Sequence, residues 1–369
     1  MITGATKQTR GDVMPRHPTR HRTRRGLLLP LVLVTMLLVF TIAASLQQVA
    51  WRATRGAQAQ WDAQRGNYAA DADVVHAIAD WRPDSVAATP IGTPLVRHAA
   101  LPDGWQIQTT IVRTGPLRAV ILSIARRTHR VGIGAGDPTA IRKLVSRAVP
   151  LVPPPFPSFG AATMLGSVTL GAAALDGRDS FSSYNAARDD CGAQRDTNSV
   201  AALSAPSITI RGAPRVQGAT LVTTAAPLAI AHAQFDSAFA LLLARAPRSA
   251  LSVGLTVPPQ NAWRALVIRD TGAVTLQGTS AHVGLLAIDG DLVLRGTLEV
   301  DGVLIVRGAL DAAQGALTVR GALIVRDVAA RASTMGDSVS VRYAPCMVGR
   351  ALAAVALPRA SRYAVYNSP

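Results

Sequence analysis

The chain has 369 residues, which is long enough for two domains with buried cores. Aromatic residues make up only 4% of it and charged residues 16%, and its net charge of +16 comes almost entirely from arginine. Part of this charge is confined to the N-terminus, and the rest is not interleaved with aromatic residues. The composition therefore argues against a nucleic-acid partner.

The N-terminal segment predicts a membrane anchor. Residues 1–25 form a basic tail, and residues 27–46 contain no charged side chain. At about 1.5 Å per residue, these twenty residues can cross a hydrocarbon layer of about 30 Å. Because the arginines precede the apolar run, we predict a single-pass inner-membrane protein with a cytoplasmic N-terminus and an exported C-terminal part. The predicted anchor residues are Leu27, Leu31, Leu37, Phe40 and Leu46.

A cleaved signal peptide is the alternative interpretation of this segment. Its apolar region would be shorter and would end near the small residues Ala43 and Ala44. The apolar run is instead long and continues into a helical pattern, which favours a retained anchor.

The helix is predicted to continue beyond the membrane as a rod that reaches about Trp81 and ends before Pro83. Apolar residues recur along the rod at steps of seven, four and three, which predicts a narrow packing seam. The seam residues are Trp61, Tyr68, Ala72 and Val75, with Ala79 continuing them.

The start of the chain also carries a motif. Arg25-Gly26 precedes the aliphatic span, and the Gln/Arg-rich rod leads into the run from Tyr68 to Ala72, YAADA. These features resemble PilX-type pilus assembly proteins, minor-pilin-like components of type IV pili and related secretion machines, whose motif is YAAEAG. Asp71 takes the place of the glutamate, and Asp73 that of the final glycine. The resemblance implies a structural or assembly role, with other pilin-like proteins as partners.

The chain departs from that family at one position. Members that the prepilin peptidase cuts have a glutamate at the fifth position after the cleavage glycine. If Gly26 is that glycine, the fifth position is Leu31. Cleavage at Gly26 is therefore not predicted.

Residues 83–149 are predicted to be a small α+β segment. A loop over 84–104 leads into a hairpin of strands 105–113 and 117–127, and a helix is predicted over 139–148. The glycines between hairpin and helix lack the spacing and the Lys-Ser/Thr pair of a phosphate-binding loop, so no cofactor is predicted.

Prolines concentrate in residues 150–158 and predict a stiff linker. Residues 159–369 are then the exported domain, with helices over 235–245 and 348–357. The first of these helices could lie against the side of a repeat or cap its end. Cys191 and Cys346 match no metal-ligand spacing, and in an exported domain a disulfide between them is permitted.

A glycine repeat dominates the exported domain. Glycines recur every six residues with one step of seven, and aliphatic residues alternate between them. Alternation predicts strands, and the glycines supply corners, so the repeat predicts a parallel β-solenoid rather than the alternative antiparallel meander. The predicted corners are Gly284, Gly290, Gly296, Gly302, Gly308, Gly315 and Gly321.

The exported domain carries a second resemblance. The turn that starts at Asp176-Gly177, the repeat, and Tyr343 to Cys346 before a final helix occur in this order. The order resembles a C-terminal region that often follows the pilus-type anchor in bacterial envelope proteins. The predicted fold class is thus mainly β with a long N-terminal helix, a small α+β segment and a β-solenoid-like domain.

The sequence contains no motif of an enzyme active site. The histidines are isolated, and no nucleophile or metal-ligand pattern occurs, so catalytic, cofactor and metal residues are predicted to be none. We predict a non-enzymatic pilus-type component, with possible self-association. The alternatives are a bactofilin-like envelope scaffold and a solenoid enzyme that acts on cell-surface polysaccharide. That enzyme would use the corner charges Asp289, Asp301, Arg295 and Arg307.

Overall fold

The computed structural model of the chain forms two compact units, Met1–Asp62 and Ala63–Pro369. The residues that it describes are 28–102, 104–128, 140–158, 160–178, 200–218, 220–222, 225–246, 248–249, 263–327, 331–359 and 365–367. The predicted basic tail, Gly26, Leu27 and Cys191 lie outside the described residues.

Helix α1 (Leu28–Ala79) is a single helix of 52 residues, as predicted for the anchor and rod. The anchor residues Leu31, Leu37, Phe40 and Leu46 are 59–76% exposed. The helix is long and apolar enough to span a membrane. It ends at Ala79, two residues before the predicted Trp81, and Pro83 is the first residue of the short helix α2 (Pro83–Ala88). The segment 84–104, which was predicted to be a loop, therefore contains most of α2 and, after it, a β-strand.

Four antiparallel strands pack against the last part of α1. They are β1 (Pro94–Ala100), β2 (Trp105–Gly115), β3 (Arg118–Thr128) and β4 (Ala140–Val152), adjacent in that order. Alternate residues of β2 are buried, and Ile107 and Ile111 lie in one apolar cluster with Ala70 and Val74 of the helix. The predicted hairpin is confirmed as β2 and β3.

The helix predicted over 139–148 is wrong, because β4 occupies this segment. It pairs with β3 from Arg118↔Pro150 to Thr128↔Ala140. Val149 and Leu151 are almost fully buried, whereas Ala148 and Pro150 are exposed, and this period-two burial belongs to a strand. The Asp-Pro pair before the segment suggested a helix start, but the free strand edge offered by β3 outweighs a local capping signal.

The remaining strands build a curled parallel sheet of 15 strands. Its first seven strands are β5 (Gly160–Met164), β6 (Val168–Leu170), β7 (Ala174–Asp176), β8 (Ala201–Ala205), β9 (Ile208–Ile210), β10 (Arg215–Gln217) and β11 (Thr220–Val222). Helix α3 (Ala225–Arg245) follows them. The other eight strands are β12 (Arg248–Ser249), β13 (Arg264–Leu276), β14 (Thr279–Leu294), β15 (Thr297–Val306), β16 (Leu310–Ala312), β17 (Ala316–Val325), β18 (Ser333–Met335) and β19 (Val339–Tyr343).

Helix α4 (Pro345–Ala353) comes next, and two short strands end the described chain. These are β20 (Leu357–Pro358) and β21 (Val365–Asn367), which both pair antiparallel with β4. The last part of the chain therefore returns to the antiparallel sheet.

The parallel pairings fall into three rows. Row A joins the segments 264–268, 284–288, 302–306 and 321–325 to β5, β8 and β11. Row B joins 273–276 and 291–294 to β16, β18, β6 and β9. Row C joins 279–283, 297–301 and 316–320 to β19, β7 and β10.

The glycines of the repeat differ in their geometry. Gly284, Gly302 and Gly321 are register partners, 18 and 19 positions apart, and each has a positive φ. A Cβ on Gly302 would lie 2.1 Å from the carbonyl oxygen of Gly284, so the close stacking of these strands requires glycine. The predicted corners Gly284 and Gly290 do not end a strand, since β14 runs without a break through both of them.

Row A is buried on both of its faces. On one face Leu286, Leu304 and Leu323 belong to the core inside the curled sheet. On the other face Leu285, Val303 and Ile324 pack against the helices. The covering residues of α3 and α4 are Phe235, Phe239, Leu242, Met347 and Ala351. Of the two predicted positions for the helix over 235–245, the side of the repeat is therefore confirmed.

Candidate interaction site on helix α1

One side of α1 fixes the helix to the antiparallel sheet. Gly66, Ala70, Val74 and Ala77 are buried and follow one another at steps of four, four and three. These side chains are small, so the helix can approach the strands closely. The sequence signal of this face was weak, because Gly and Ala contribute little to an apolar periodicity.

The two acidic residues of the YAADAD run connect the helix to the sheet. Asp71 accepts a hydrogen bond from Arg147 of β4 at 3.0 Å, and both side chains are at least two-thirds buried. Asp73 accepts a hydrogen bond from the hydroxyl of Thr109, which lies 3.1 Å from Ser123 Oγ. Thr109 and Ser123 are fully buried, so Asp73 anchors the helix over the centre of the sheet.

The predicted seam lies on the opposite side of α1. Tyr68 is 74% exposed and Val75 is 51% exposed, and Ala72 and Ala79 are also exposed. Trp61, which belongs to the first unit, is 67% exposed. The seam therefore has no packing role within the described part of this chain, and its role in contacts with other helices stays a prediction.

A cleft of about 740 Å³ lies where α1 ends, between Trp81, Val86 and Leu95. Its charged lining residues are Asp80, Arg82 and Arg97, and Arg97 donates a hydrogen bond to Asp80 at 3.3 Å. The cleft thus brings together apolar side chains and one exposed ion pair.

The corner charges of the repeat pair across neighbouring strands. Arg307 donates to Asp289 at 2.8 Å, and Arg320 makes two hydrogen bonds to Asp301. The other predicted corner residue, Arg295, donates to Gln314. These contacts link residues 18 or 19 positions apart, so they join adjacent strands of the sheet. Asp289 and Asp301 are therefore each paired with an arginine, and Arg295 is paired with a glutamine.

His282 is a buried histidine in row C. It is 1% exposed and faces the core at the position that Val300 and Val319 occupy in the next strands. Burial lowers the pKa of His282 to about 4, although backbone contacts with Leu285 and Arg264 oppose the shift. The imidazole is therefore neutral at pH 7. A comparison of TSAHVG with TLEVDG in the sequence would have revealed this substitution.

The described residues give two further results on predicted sites. They contain no group of three His, Cys, Asp or Glu side chains that could hold a metal ion. Cys346 is disulfide-bonded, and the only other cysteine of the chain is Cys191, which lies outside the described residues. The pairing of these two cysteines stays a prediction from the cysteine count.

No protein-family model matches the chain. Comparison with curated proteins and with solved structures also finds no significant match. The functional argument therefore depends on the surfaces described above.

Proposed function

We propose that the chain is a membrane-anchored, non-enzymatic component of a type IV pilus-like or secretion apparatus. The basic tail would stay in the cytoplasm, α1 would cross the inner membrane once, and the sheets would be exported. The apolar and exposed residues of α1 between Leu31 and Leu46 support the anchor.

The observation that carries this proposal is the two-sidedness of α1 after Asp62. Small residues and Asp73 hold one side of the helix on the sheet, while Tyr68 and Val75 stay exposed on the other side. A helix that is fixed on one side and apolar on the other can pack laterally against further apolar helices. Such packing is what a subunit of a helical assembly requires.

We also propose that the curled parallel sheet is a β-solenoid. The spacing of 18 and 19 residues between register partners corresponds to three six-residue units per coil. The three rows would then be the three sides of the coil. Each coil would contact only its neighbours, as in other repeat architectures.

The experiment places a photo-crosslinking residue at Tyr68 in cells that assemble pili. We expect crosslinks to pilin-like proteins. The matched control carries the same probe at Leu241 of α3, which is apolar and 41% exposed but belongs to a different helix, and it should recover none of them. Failure of Tyr68 to recover any pilin-like partner would contradict the proposal.

An envelope scaffold of bactofilin-like type is the second candidate function. The parallel rows favour it, because a stack of strands ends in edges that can pair with another molecule. The third alternative, a polysaccharide-acting enzyme, has no comparable support, since Asp289 and Asp301 are each paired with an arginine.

A further inference from the structure

The two ends of the strand rows differ in how well their core residues are covered. At the end formed by β13 and the start of β14, the inward residues Val274, Leu276, Ser280 and His282 are at most 6% exposed. This end is closed, and nothing can be added to it without displacing what covers these side chains.

At the other end, inward residues are open to solvent. Ile210 is 62% exposed, whereas its register partner Leu170 is 2% exposed. Val216 is 36% exposed, whereas its partner Leu175 is 1% exposed. These two core positions are therefore buried in β6 and β7 and exposed in β9 and β10, the next strands of rows B and C.

The backbone N–H and C=O groups on the outer edge of this open end also have no neighbouring strand to pair with in the described part of the chain. Among the described residues, β9 pairs only with β6, and β10 pairs only with β7. Their outer edges present N–H and C=O groups beside exposed aliphatic side chains. Such an edge is a template for a further strand. Helices α3 and α4 pack on the side of row A, so they do not cover it.

We propose that this edge, formed by β9 and β10, is the contact between two copies of the chain. The opposite end is closed, so a head-to-tail stack has no acceptor, whereas the same open edge on a second copy supplies both unpaired strands and aliphatic side chains. Two identical edges meet around a two-fold axis, and the contact closes at a dimer. The inference is independent of the proposed pilus role and needs no pilin-like partner.

Positive charge beside the edge determines the ionic strength at which the proposed contact has to be tested. Arg211 and Arg215 are exposed there, so two copies repel each other at low ionic strength. The full chain should therefore be studied in detergent at physiological ionic strength, without reductant, so that Cys346 stays disulfide-bonded. A cysteine introduced as Ile210→Cys is treated with a short bis-maleimide, and the parent chain is treated in parallel.

We expect crosslinked dimers from Ile210→Cys and none from Thr279→Cys, which places an exposed cysteine at the closed end. Addition of Val216→Asp to the Ile210→Cys chain should abolish the dimers, and addition of Leu241→Asp on α3 should not. If Val216→Asp lowers the melting temperature, Gln217→Arg, at an exposed edge position, replaces it.

Two results would overturn the proposal. One is the absence of dimers from Ile210→Cys, and the other is equal crosslinking from Thr279→Cys. Neither result bears on the partners of Tyr68, so a failure here is distinguishable from a failure of the proposed pilus role.

Discussion

At the scale of single residues, His282 and Gly302 show how the strand layers constrain side-chain choice. Val300 and Val319 fill the position that His282 occupies one and two layers away, so a polar ring stands where the core otherwise holds valine. Gly302 has no room for a Cβ because the strand of Gly284 lies directly against it. Both residues can be tested by stability measurements on the full chain.

The neutral state of His282 predicts a pH dependence of folding. Its pKa is about 4 in the folded chain, compared with 6.5 for an unperturbed histidine. The unfolded chain therefore binds more protons between these values, and the free energy of unfolding falls as the pH falls from 6.5 towards 4. We expect a loss of about 2 kcal/mol between pH 7.5 and pH 5. Denaturant titrations of His282→Val should lack this loss, and an equal loss in that variant would contradict the assignment.

Gly302→Ala should destabilise the chain by about 2–4 kcal/mol, because it combines a positive φ with a collision against the neighbouring backbone. Gly92→Ala is the control, since Gly92 has a φ of 85° but nothing within 4 Å of its Cβ position. That variant should cost only about 1–2 kcal/mol. Equal losses of unfolding free energy by the two variants in urea denaturation would show that the collision with the neighbouring strand contributes nothing.

At the scale of elements, the sequence predicted the existence of α1 and its length but not which side packs. Trp61 and Tyr68 dominate the apolar periodicity of the rod, yet Ala70 and Val74 make the contact with the sheet. A close helix–sheet contact selects small side chains, and small side chains give a weak hydrophobic signal. The predicted seam was thus an apolar surface without a partner in the described chain.

Ala70→Leu and Ala72→Leu separate the two sides of α1. Ala70 is fully buried, so the added atoms should overpack the contact and cost about 1–3 kcal/mol. Ala72 is exposed, and the same substitution there should change the melting temperature little. Comparable destabilisation by both, measured by circular dichroism, would contradict the assignment of the buried side.

The sequence also contains a longer repeat of 18 or 19 residues, which the regular six-residue spacing of the glycines obscured. The segments GLLAID, GVLIVR and GALIVR, which start at Gly284, Gly302 and Gly321, are continuously aliphatic, whereas the units between them alternate. Continuous runs mark strands that are buried on both faces, which is the case for row A under α3 and α4. A search for this larger period would have predicted one covered row and two partly exposed rows.

The strand β4 could not be predicted in the same way. The segment from Ala140 to Val152 contains good helix formers and follows an Asp-Pro pair, so its local preferences favour a helix. Its strand state depends on the pairing with β3 and on the contact between Arg147 and Asp71, which are distant in sequence. Such tertiary effects are invisible to local patterns.

At the scale of the whole molecule, the described residues include two helices, α1 and α3, that are long and apolar enough to cross a membrane. Their surroundings differ. The apolar N-terminal part of α1 is exposed, while α3 places Phe235, Phe239 and Leu242 against row A. We therefore expect α1 alone to retain the protein in the membrane.

Leu37→Arg should weaken membrane retention, because an arginine near the centre of a spanning helix costs about 2.5–3.5 kcal/mol. The test is alkaline extraction of membranes from cells that express the full chain. Leu241→Arg in α3 is the control, and its protein should stay in the membrane fraction like the parent. Release of the intact parent chain into the soluble fraction would contradict the anchor.

The order of the strand layers in space differs from their order along the chain. Ala162 of β5 pairs with Leu323 of β17, so the layers made from residues 160–217 are added beyond the end of the glycine repeat. During synthesis these early strands emerge first, and the strands that they pair with are made only later. Contacts this distant along the chain form slowly, and aliphatic strands that wait in an extended state are prone to aggregate. Chains that terminate before Leu323 should therefore need protection by chaperones.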